Sequence, residues 1–541
     1  MDSESEESRP QFANSKPEIN ADASNCIDQL EVDSLGQHDI DQLLARLGAR
    51  KRQLSADTHA SNSELLLVFL EDARAARLAQ VARLHAEIDA LAKDIALVAV
   101  QEPHGNKRIK LDGAASSKET LSPTESQFKR ISTHLPDLQA NYFSKSDISG
   151  ADCDDAGRLS SFAAGLDTCS KYSYFKTLAN LYYADSFLNT ATSIVSSIEF
   201  DKNDEFFAIA GVTRKIKIFD FDRCTLPIQI NSSHVTSSTV IDVDSYQNGT
   251  DQESDSALDP VQRYPVREMT CNSKVSCLSW NTHTQATLLS SDYEGIISIW
   301  DVSQALSMSS LDEHEKRVWS VDFSHVDPMR FASGGDDTKG TTINQVKIWN
   351  VNQKRSALTL ATKANVCSVR FHPTISHQFA FGSADHGLHY YDLRNISQPL
   401  MLFQGHARAV SYVKFLDGDH IVTASTDSSL CLWSLSNTET NLVRRFSGHF
   451  NEKNFVGLAV NSNSTFIACG SESNSAHIYY AKTTKPILTH AFGNAIDSMT
   501  GELVKQPDPQ MFVSSVCFKR KTSNVLVCAN SQGRIKILEM K

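Results

Sequence analysis

Apolar and polar residues alternate over short segments, and the pattern recurs seven times between residues 194 and 538. Each repeat has a small-residue turn, an apolar strand, a Gly/Ser/Asp turn and a strand with an aromatic or apolar end. A period of two is typical of strands and does not fit a helix. The middle strand ends lie 49, 42, 42 and 46 residues apart, about one four-stranded blade each. The seven strand ends are Phe219, Trp300, Trp349, Tyr391, Trp433, Tyr479 and Leu538.

This recurrence predicts an all-β, seven-bladed β-propeller, because a single blade cannot bury its faces and a ring of blades can. The last blade needs a strand from the other end of the ring, and residues 175–181 are placed to supply it. His406 and His449 follow glycines that open two blades, and Asp337, Asp385 and Asp427 occupy turns that such histidines bond. We interpret these residues as structural clamps and not as catalysts.

A helical pattern precedes the propeller. Residues 1–35 are acidic and aperiodic, which is typical of a disordered tail. Residues 36–102 are predicted to form a coiled coil, interrupted near Gly48 and Ser61, whose seam also contains Arg74 and Arg77. A helix packed on the propeller is the alternative, but Glu and Lys outside the seam and the linker that follows favour association with a second copy or with a partner, and we expect a homodimer. The apolar seam consists of Leu67, Leu70, Val81, Leu84, Ile88, Leu91, Ile95 and Val98.

A basic cluster lies in the next segment, residues 103–170, which is predicted to be a linker. The sequence N-K-R-I-K-L-D begins at Asn106, and a Ser/Thr-rich stretch follows it. Such a cluster fits the acidic, Trp-lined pockets of importin-α, although a solvated charge cluster is the alternative. Lys107, Arg108 and Lys110 therefore predict a nuclear protein with a cytoplasmic pool. The propeller is assigned to residues 171–541, with a polar surface insertion at 225–267 and a shorter one at 338–344.

Composition excludes several classes of function. The net charge of −12 and a pI near 5.8 disfavour direct binding to nucleic acid or to an anionic membrane. No apolar run is long enough to span a bilayer. Eleven cysteines are present without one C-x-x-C pair, so we expect neither a metal site nor a cofactor. No Ser/His/Asp trio or phosphate-binding loop stands out as a catalytic site.

Several segments resemble the Constitutive Photomorphogenic One family of RING-type ubiquitin ligases, which combine a coiled coil with a WD40 propeller. The similar segments include S-S-D-Y-E-G-I-I-S-I-W-D-V from Ser290, H-E-K-R-V-W-S-V-D-F from His314 and N-E-K-N-F-V-G-L from Asn451. Before the coil, D-I-D-Q-L-L-A-R-L-G-A-R-K-R from Asp39 is similar as well. The resemblance extends from Asp39 to Lys541.

The resemblance implies a peptide-binding groove on one face of the propeller. Propellers of this family bind an acidic stretch followed by a Val-Pro pair, in partners such as transcription factors. The residue types suit that task, because cations can pair with the acidic part and aromatic rings can hold Val and Pro. Arg408 stands where lysine is expected. For Trp319, the alternative to peptide binding is that its side chain packs in the core. The groove positions are Lys274, Tyr293, Arg317, Trp319, His386, Arg408, Glu452 and Phe455.

A second motif ends the fourth blade. The sequence Y-D-L-R from Tyr391 is similar to the W-D-x-R box by which propeller receptors engage the adaptor of cullin-4 ligases. This similarity implies an adaptor contact through Asp392 and Arg394. A strand-end aspartate beside a solvated arginine is the structural alternative.

One feature departs from the family. Its members begin with a zinc-binding RING finger, whereas residues 1–38 contain only Cys26 and His38 as cysteine and histidine. We therefore expect a homodimeric substrate receptor, inactive as a ligase alone, that works with a RING-bearing or accessory partner. The alternatives are a complete RING-type ligase whose first domain is missing from this sequence and a non-degradative WD40 scaffold.

Overall fold

The structure is a computed structural model that describes residues 37–101, 123–146, 155–183, 193–226, 264–337, 344–436, 441–492 and 511–541. Two compact units are distinguished, with the boundary between Ile109 and Lys110. In the described part of the first unit, residues 37–101, there is one helix, α1 (Gln37–Gln101), of 65 residues. No helix in these ranges combines the length and apolarity needed to cross a membrane.

Helix α1 has no break at Gly48 or Ser61. The interruption predicted there is wrong, because a single glycine in a helix costs only about 1 kcal/mol relative to alanine. An ion pair between Arg83 and Glu87, 3.1 Å apart, supports the helix from its surface.

Three helices between residues 103 and 170 were missed by the sequence analysis, which treated this interval as a linker. They are α2 (Pro123–Thr133), α3 (Leu135–Ser146) and α4 (Asp155–Ser170). Asp137 of α3 accepts hydrogen bonds of 2.7 Å from both the amide and the hydroxyl of Thr484. The Asn141 amide donates to the Lys482 carbonyl at 2.6 Å, and Cys169 of α4 is buried in the propeller core. These helices are therefore part of the propeller unit.

Seven four-stranded antiparallel sheets form the propeller, as the sequence predicts. Blade one consists of Val195–Phe200 (β2), Phe206–Gly211 (β3), Lys215–Asp220 (β4) and Arg267–Thr270 (β5). Helix α5 (Phe221–Thr225) follows β4. Blades two and three contain Val275–Trp280 (β6), Thr287–Asp292 (β7), Ile296–Asp301 (β8), Leu306–Asp312 (β9), Val318–Phe323 (β10), Arg330–Gly335 (β11), Asn344–Asn350 (β12) and Leu358–Thr362 (β13).

The next two blades, four and five, contain Val366–Phe371 (β14), Gln378–Ser383 (β15), Gly387–Asp392 (β16), Met401–Gln404 (β17), Val410–Phe415 (β18), His420–Ser425 (β19), Ser429–Ser434 (β20) and Leu442–Phe446 (β21). Blade six contains Leu458–Val460 (β22), Phe466–Gly470 (β23), Ser475–Tyr480 (β24) and Pro486–Ala491 (β25). Blade seven is completed by Val513–Phe518 (β26), Val525–Asn530 (β27), Arg534–Met540 (β28) and the earlier strand Phe175–Tyr182 (β1).

Strand β1 closes the ring. It pairs antiparallel with β28, from Phe175 opposite Met540 to Tyr182 opposite Arg534, and becomes the outer strand of blade seven. The prediction that residues 175–181 supply the missing strand is confirmed. Pairing the two ends of the propeller gives the last blade its fourth strand and links the first blade to the last.

Neighbouring blades are joined through side chains of their inner strands. The hydroxyls of Ser197 and Ser368 accept hydrogen bonds from backbone amides of the next blade, at 3.1 Å from Leu278 and 3.2 Å from Val413. The Glu199 carboxylate accepts from the Trp280 amide at 3.0 Å in the same way. The donating residues Leu278, Val413 and Trp280 are buried, so each bond satisfies the backbone amide of a buried residue.

The clamp predicted for His406 is present in blade five, and the predicted aspartate Asp337 belongs to a similar clamp in blade three. His406 lies 3.0 Å from Asp427 and 2.7 Å from the Thr423 hydroxyl, which also accepts from Trp433 at 2.8 Å. His314, Asp337, Ser333 and Trp349 form the same arrangement. Burial raises the pKa of Asp337, but hydrogen bonds from His314 and from backbone amides outweigh it, and the net shift is downward. All four residues of the blade-three clamp are buried, as are His406, Thr423 and Trp433 of blade five, whereas Asp427 is partly buried; this burial is consistent with a structural role.

Blades four and six depart from this arrangement. Asp385 is bonded by His389 of its own blade at 2.8 Å, and His449 contacts the Tyr479 hydroxyl at 2.9 Å instead of a carboxylate. Burial, followed by the nearby His477, lowers the pKa of His449 to about 4.

Candidate peptide-binding site

The eight predicted groove residues lie at one face of the ring. Strand direction alternates within each blade, so the turn between its two middle strands and the loop to the next inner strand lie at the same end. We call this end the loop face. Tyr293 and His386 lie in the middle turns, while Trp319 is the second residue of inner strand β10. The loops between blades contain Lys274, Arg317, Arg408, Glu452 and Phe455.

Four of these residues form one cluster, which we call the aromatic cluster: Tyr293, Arg317, Trp319 and Phe455. The Arg317 guanidinium lies 4.4 Å from the Tyr293 ring centre and 4.5 Å from that of Trp319. The Trp319 and Phe455 rings are 5.0 Å apart. Trp319 belongs to blade three and Phe455 precedes blade six, so this contact crosses the mouth of the central channel. Cation–π attraction and ring packing hold the cluster together.

Trp319 is not a core residue. Its side chain is half-buried, as are those of Tyr293, Arg317 and Phe455, whereas Val318 and Ser320 on either side of it are buried. The cluster therefore presents partly exposed ring faces together with a cation. A surface of this kind can hold apolar and acidic groups of a peptide.

Asp336 is a member of the site that the sequence analysis missed. Its carboxylate accepts a 2.7 Å hydrogen bond from the Trp319 indole nitrogen, and its amide donates to the Arg317 carbonyl at 3.0 Å. Burial raises the pKa of Asp336, while the Trp319 hydrogen bond and the Arg317 charge partly offset that rise. The sequence offered one indication of this role, namely that Asp336 precedes the clamp residue Asp337. Consecutive residues at a strand end face opposite directions, so Asp336 faces away from the clamp.

The other four predicted residues surround the cluster. Lys274 is exposed, and its carbonyl accepts from the Tyr293 amide at 3.0 Å. Arg408 is exposed, and its guanidinium donates to the Glu452 carbonyl at 3.0 Å. His386 is exposed in a turn where its φ of 71° is left-handed. The structure thus brings Arg408 and Glu452 together and leaves the Lys274 and His386 side chains facing solvent.

The loop that carries Phe455 is held by Glu472, which lies in the middle turn of blade six. Its carboxylate accepts from the amides of Lys453 and Asn454 at 2.8 and 2.6 Å. These bonds lower the pKa of Glu472 despite the opposing effect of burial. The position of Phe455 at the mouth of the channel is therefore set by a hydrogen-bonded loop.

A cavity of about 310 Å³ lies in the central channel, and Tyr293, Trp319 and Phe455 are among its lining residues. Within the part of the chain that the structure describes, no cluster of His, Cys, Asp and Glu is suited to a metal ion. The loop face therefore offers rings, cations and a concave opening.

The residues of the predicted adaptor box lie at the opposite end of blade four, in the turn after β16. The guanidinium of Arg394 donates to both carboxylate oxygens of Asp392, at 2.6 Å from Nη2 and 3.0 Å from Nε. The Arg394 side chain is 70% exposed, while that of Asp392 is 8% exposed. Asp392 therefore orients an accessible arginine. Lys107, Arg108 and Lys110 lie outside the described residues.

Comparison with known proteins matches the propeller to a repeat family and to curated relatives. The WD domain, G-beta repeat profile matches residues 263–301, 306–339, 397–434 and 440–479. The E3 ubiquitin-protein ligase COP1 of Arabidopsis thaliana is 44% identical over 381 residues, which are 70% of this chain and 49% of COP1. Protein SUPPRESSOR OF PHYA-105 1 of the same plant is 35% identical over 528 residues, 88% of this chain and 47% of the relative.

A shorter relative is covered almost completely. WD repeat-containing protein RUP2 of Arabidopsis thaliana is 31% identical over 360 residues, which are 64% of this chain and 88% of RUP2. In contrast, this chain spans about half the length of COP1 and of SUPPRESSOR OF PHYA-105 1. The seven blades, the matching repeats and these identities lead to one conclusion: the chain belongs to the WD40-repeat family of Constitutive Photomorphogenic One and its relatives.

Proposed function

We propose that this chain is a substrate receptor of a nuclear ubiquitin-ligase assembly. Its loop face binds acidic Val-Pro peptides of regulators such as transcription factors, which are then ubiquitinated and degraded. The observation that carries this proposal is the aromatic cluster at the mouth of the channel, where Arg317 stacks on two rings and Trp319 contacts Phe455. The relatives whose names include E3 ubiquitin-protein ligase support the assignment to such an assembly.

The chemistry of the cluster suits both parts of the peptide. Partly exposed rings of Trp319 and Phe455 offer apolar surface to Val and Pro. Proline has no backbone N–H, so it can be buried against rings without leaving a donor unsatisfied. Lys274, Arg317 and Arg408 supply positive charge for the acidic part, and exposed charge pairs of this kind weaken with salt.

The direct test is titration of a fluorescent acidic Val-Pro peptide with the full chain. We expect a micromolar dissociation constant that rises with salt concentration. A peptide in which Ala-Ala replaces Val-Pro measures the apolar contribution, and one in which Ser replaces the acidic residues measures the charge contribution. If the Val-Pro peptide binds no better than a scrambled peptide of equal charge, the proposal is wrong.

Contact with the rest of the ligase is assigned to the opposite end of the propeller. Arg394 is exposed and oriented by Asp392, and it is proposed to bind the cullin-4 adaptor. A RING-bearing or accessory partner would supply the ubiquitin-transfer step. Nuclear entry through importin-α is proposed from Lys107, Arg108 and Lys110. Relocation of a fluorescent fusion to the cytoplasm after their replacement by alanine is the measurement that checks it.

Homodimerisation is proposed for helix α1. Along its predicted seam, Leu84 is 49% exposed and Ile88 is 60% exposed within the single chain, and apolar faces of this kind pair in coiled coils. We expect light scattering on the full chain to give twice the chain mass of 59.7 kDa. Leu84→Asp should abolish the dimer, because the carboxylate would be buried against the second helix.

Ala86→Asp is the matched control for this experiment. Residue 86 lies two positions after Leu84, on the side of the heptad away from the seam, so this variant should remain dimeric. A monomeric wild-type chain at tens of micromolar would contradict the proposal. Equal loss of the dimer in Leu84→Asp and Ala86→Asp would also contradict the proposal.

A further inference from the structure

The central channel beneath the aromatic cluster has an unusual charge balance. Three cationic residues, Arg370, Lys414 and Lys453, are among the residues that line its cavity of about 310 Å³, and no carboxylate is. Eight serines also line it. A concave site with cations, hydroxyls and no acidic group favours anions.

The nearest carboxylates are already occupied. Asp322 forms an ion pair with Arg370 and accepts from the Phe371 amide at 2.8 Å. On the other side of the channel, Glu199 accepts from the Arg520 guanidinium at 3.1 Å and from the Trp280 amide at 3.0 Å. Each of these two acids is therefore directly bonded to an arginine, and neither forms a direct ion pair with a further cation of the cavity.

Lys414 is that further cation. It is the fifth residue of β18, at the position that Arg370 has in β14 and Asp322 has in β10. Its ammonium group forms no hydrogen bond or ion pair with any of the residues that the structure describes. Burial, followed by the charge of Arg370, lowers the pKa of Lys414, while the charges of Glu199 and Asp322 partly offset that shift. A partly buried ammonium that makes no direct ion pair destabilises the protein.

Two neighbouring groups could share a ligand with Lys414. The Nε atom of Arg370 is buried and has no hydrogen-bond partner among the described residues. Ser368, on the same strand, uses its oxygen to accept from the Val413 amide, so its hydroxyl proton can be donated. An ammonium, a guanidinium N–H and a hydroxyl are the donor types that bind phosphate oxygens.

We propose that the central channel binds a small oxyanion of the phosphate class, free or esterified to a small molecule, through Lys414, Arg370 and Ser368. The ligand is a small molecule because the cavity volume is about 310 Å³. This site lies below the proposed peptide groove and does not depend on that proposal. An acidic side chain of a bound peptide has similar chemistry, so the experiment must separate the two sources of negative charge.

The test measures thermal unfolding of the full chain in inorganic phosphate and in sodium chloride of matched ionic strength, without peptide. We expect phosphate to raise the melting temperature of the wild type, because a ligand that binds only the folded state stabilises it. Calorimetry should show saturable binding of one phosphate per chain. Lys414→Met should weaken phosphate binding by about tenfold or more, because a charge-assisted contact is lost.

The variants separate specific binding from general salt effects. Phosphate stabilises most proteins weakly by exclusion from their surface, and the response of Lys414→Met measures that contribution. In chloride, Lys414→Met should melt at or above the wild-type temperature, since an unpaired charge has been removed from the channel. Lys354→Gln changes an exposed lysine of blade three and should keep the full phosphate response.

Three results would overturn the proposal. The first is absence of calorimetric phosphate binding to the wild type, a measurement that needs no variant. The second is an equal phosphate response in wild type and Lys414→Met. The third is absence of phosphate binding combined with weaker binding of the acidic peptide to Lys414→Met, because Lys414 would then serve the peptide.

Discussion

Replacing Trp319 by alanine should weaken binding of an acidic Val-Pro peptide by about 2 kcal/mol or more, roughly thirtyfold, as expected for an aromatic anchor at the centre of an interface. The physical reason is that this ring contacts both Phe455, at 5.0 Å, and the Arg317 guanidinium, at 4.5 Å. Its loss removes apolar surface and frees two further groups of the site to move. Fluorescence anisotropy with the full chain measures the effect.

Two variants make this experiment specific. Trp319→Phe keeps a ring but loses the indole hydrogen bond to Asp336, so its affinity should lie between those of wild type and Trp319→Ala. Tyr174→Ala removes an aromatic ring that is 59% exposed and precedes β1, and it should bind like wild type. Wild-type affinity in Trp319→Ala, with an unchanged melting temperature, would show that the peptide binds elsewhere.

Most of the propeller could be predicted from the sequence because each blade repeats the same local physics. Inner strands such as Val318–Phe323 and Val410–Phe415 begin with a buried valine and end with a phenylalanine, so their alternation is readable without any long-range information. The closing strand was also predictable, since a seventh blade with three strands needs a fourth. Both inferences follow from repetition and from the need to pair every sheet edge.

The site was predictable as a set of residues but not as an arrangement. Trp319 and Phe455 are 136 positions apart in sequence, and only closure of the ring brings their rings together. Asp336 had no signal apart from its neighbour Asp337, because its bond to Trp319 forms where the pairing of β10 and β11 shifts register at Trp319. Nothing in the sequence distinguished Lys414 from the other lysines of the strands. Its lack of a direct ion pair is visible only in the structure, where Asp322 pairs with Arg370.

The helices α2 to α4 were missed for a different reason. Segments such as Pro123–Thr133 are short and contain few apolar residues, so a sequence pattern has few positions to detect. Their positions depend on tertiary contacts, for example those of Asp137 with Thr484 and of Asn141 with Lys482. Helices of this length are marginal without such packing, and single-sequence patterns do not contain it.

The purified chain alone should fail to stimulate discharge of ubiquitin from any E2 conjugate. A RING needs two zinc ions with four ligands each. The first 100 residues supply one cysteine, Cys26, and three histidines, His38, His59 and His85. Adding a RING-bearing partner or a cullin-4 complex should restore ubiquitination of a Val-Pro substrate, since the propeller only has to hold that substrate near the transfer site.

This reconstitution distinguishes a receptor from both alternatives. A receptor raises ubiquitination of the bound substrate through effective concentration, so the stimulation should disappear with Trp319→Ala and persist with Tyr174→Ala. A non-degradative scaffold would bind the peptide and leave ubiquitination unchanged in the presence of every ligase component. Robust autoubiquitination by the chain without added partners would instead place the transfer activity in these 541 residues, and the receptor-only assignment would then be wrong.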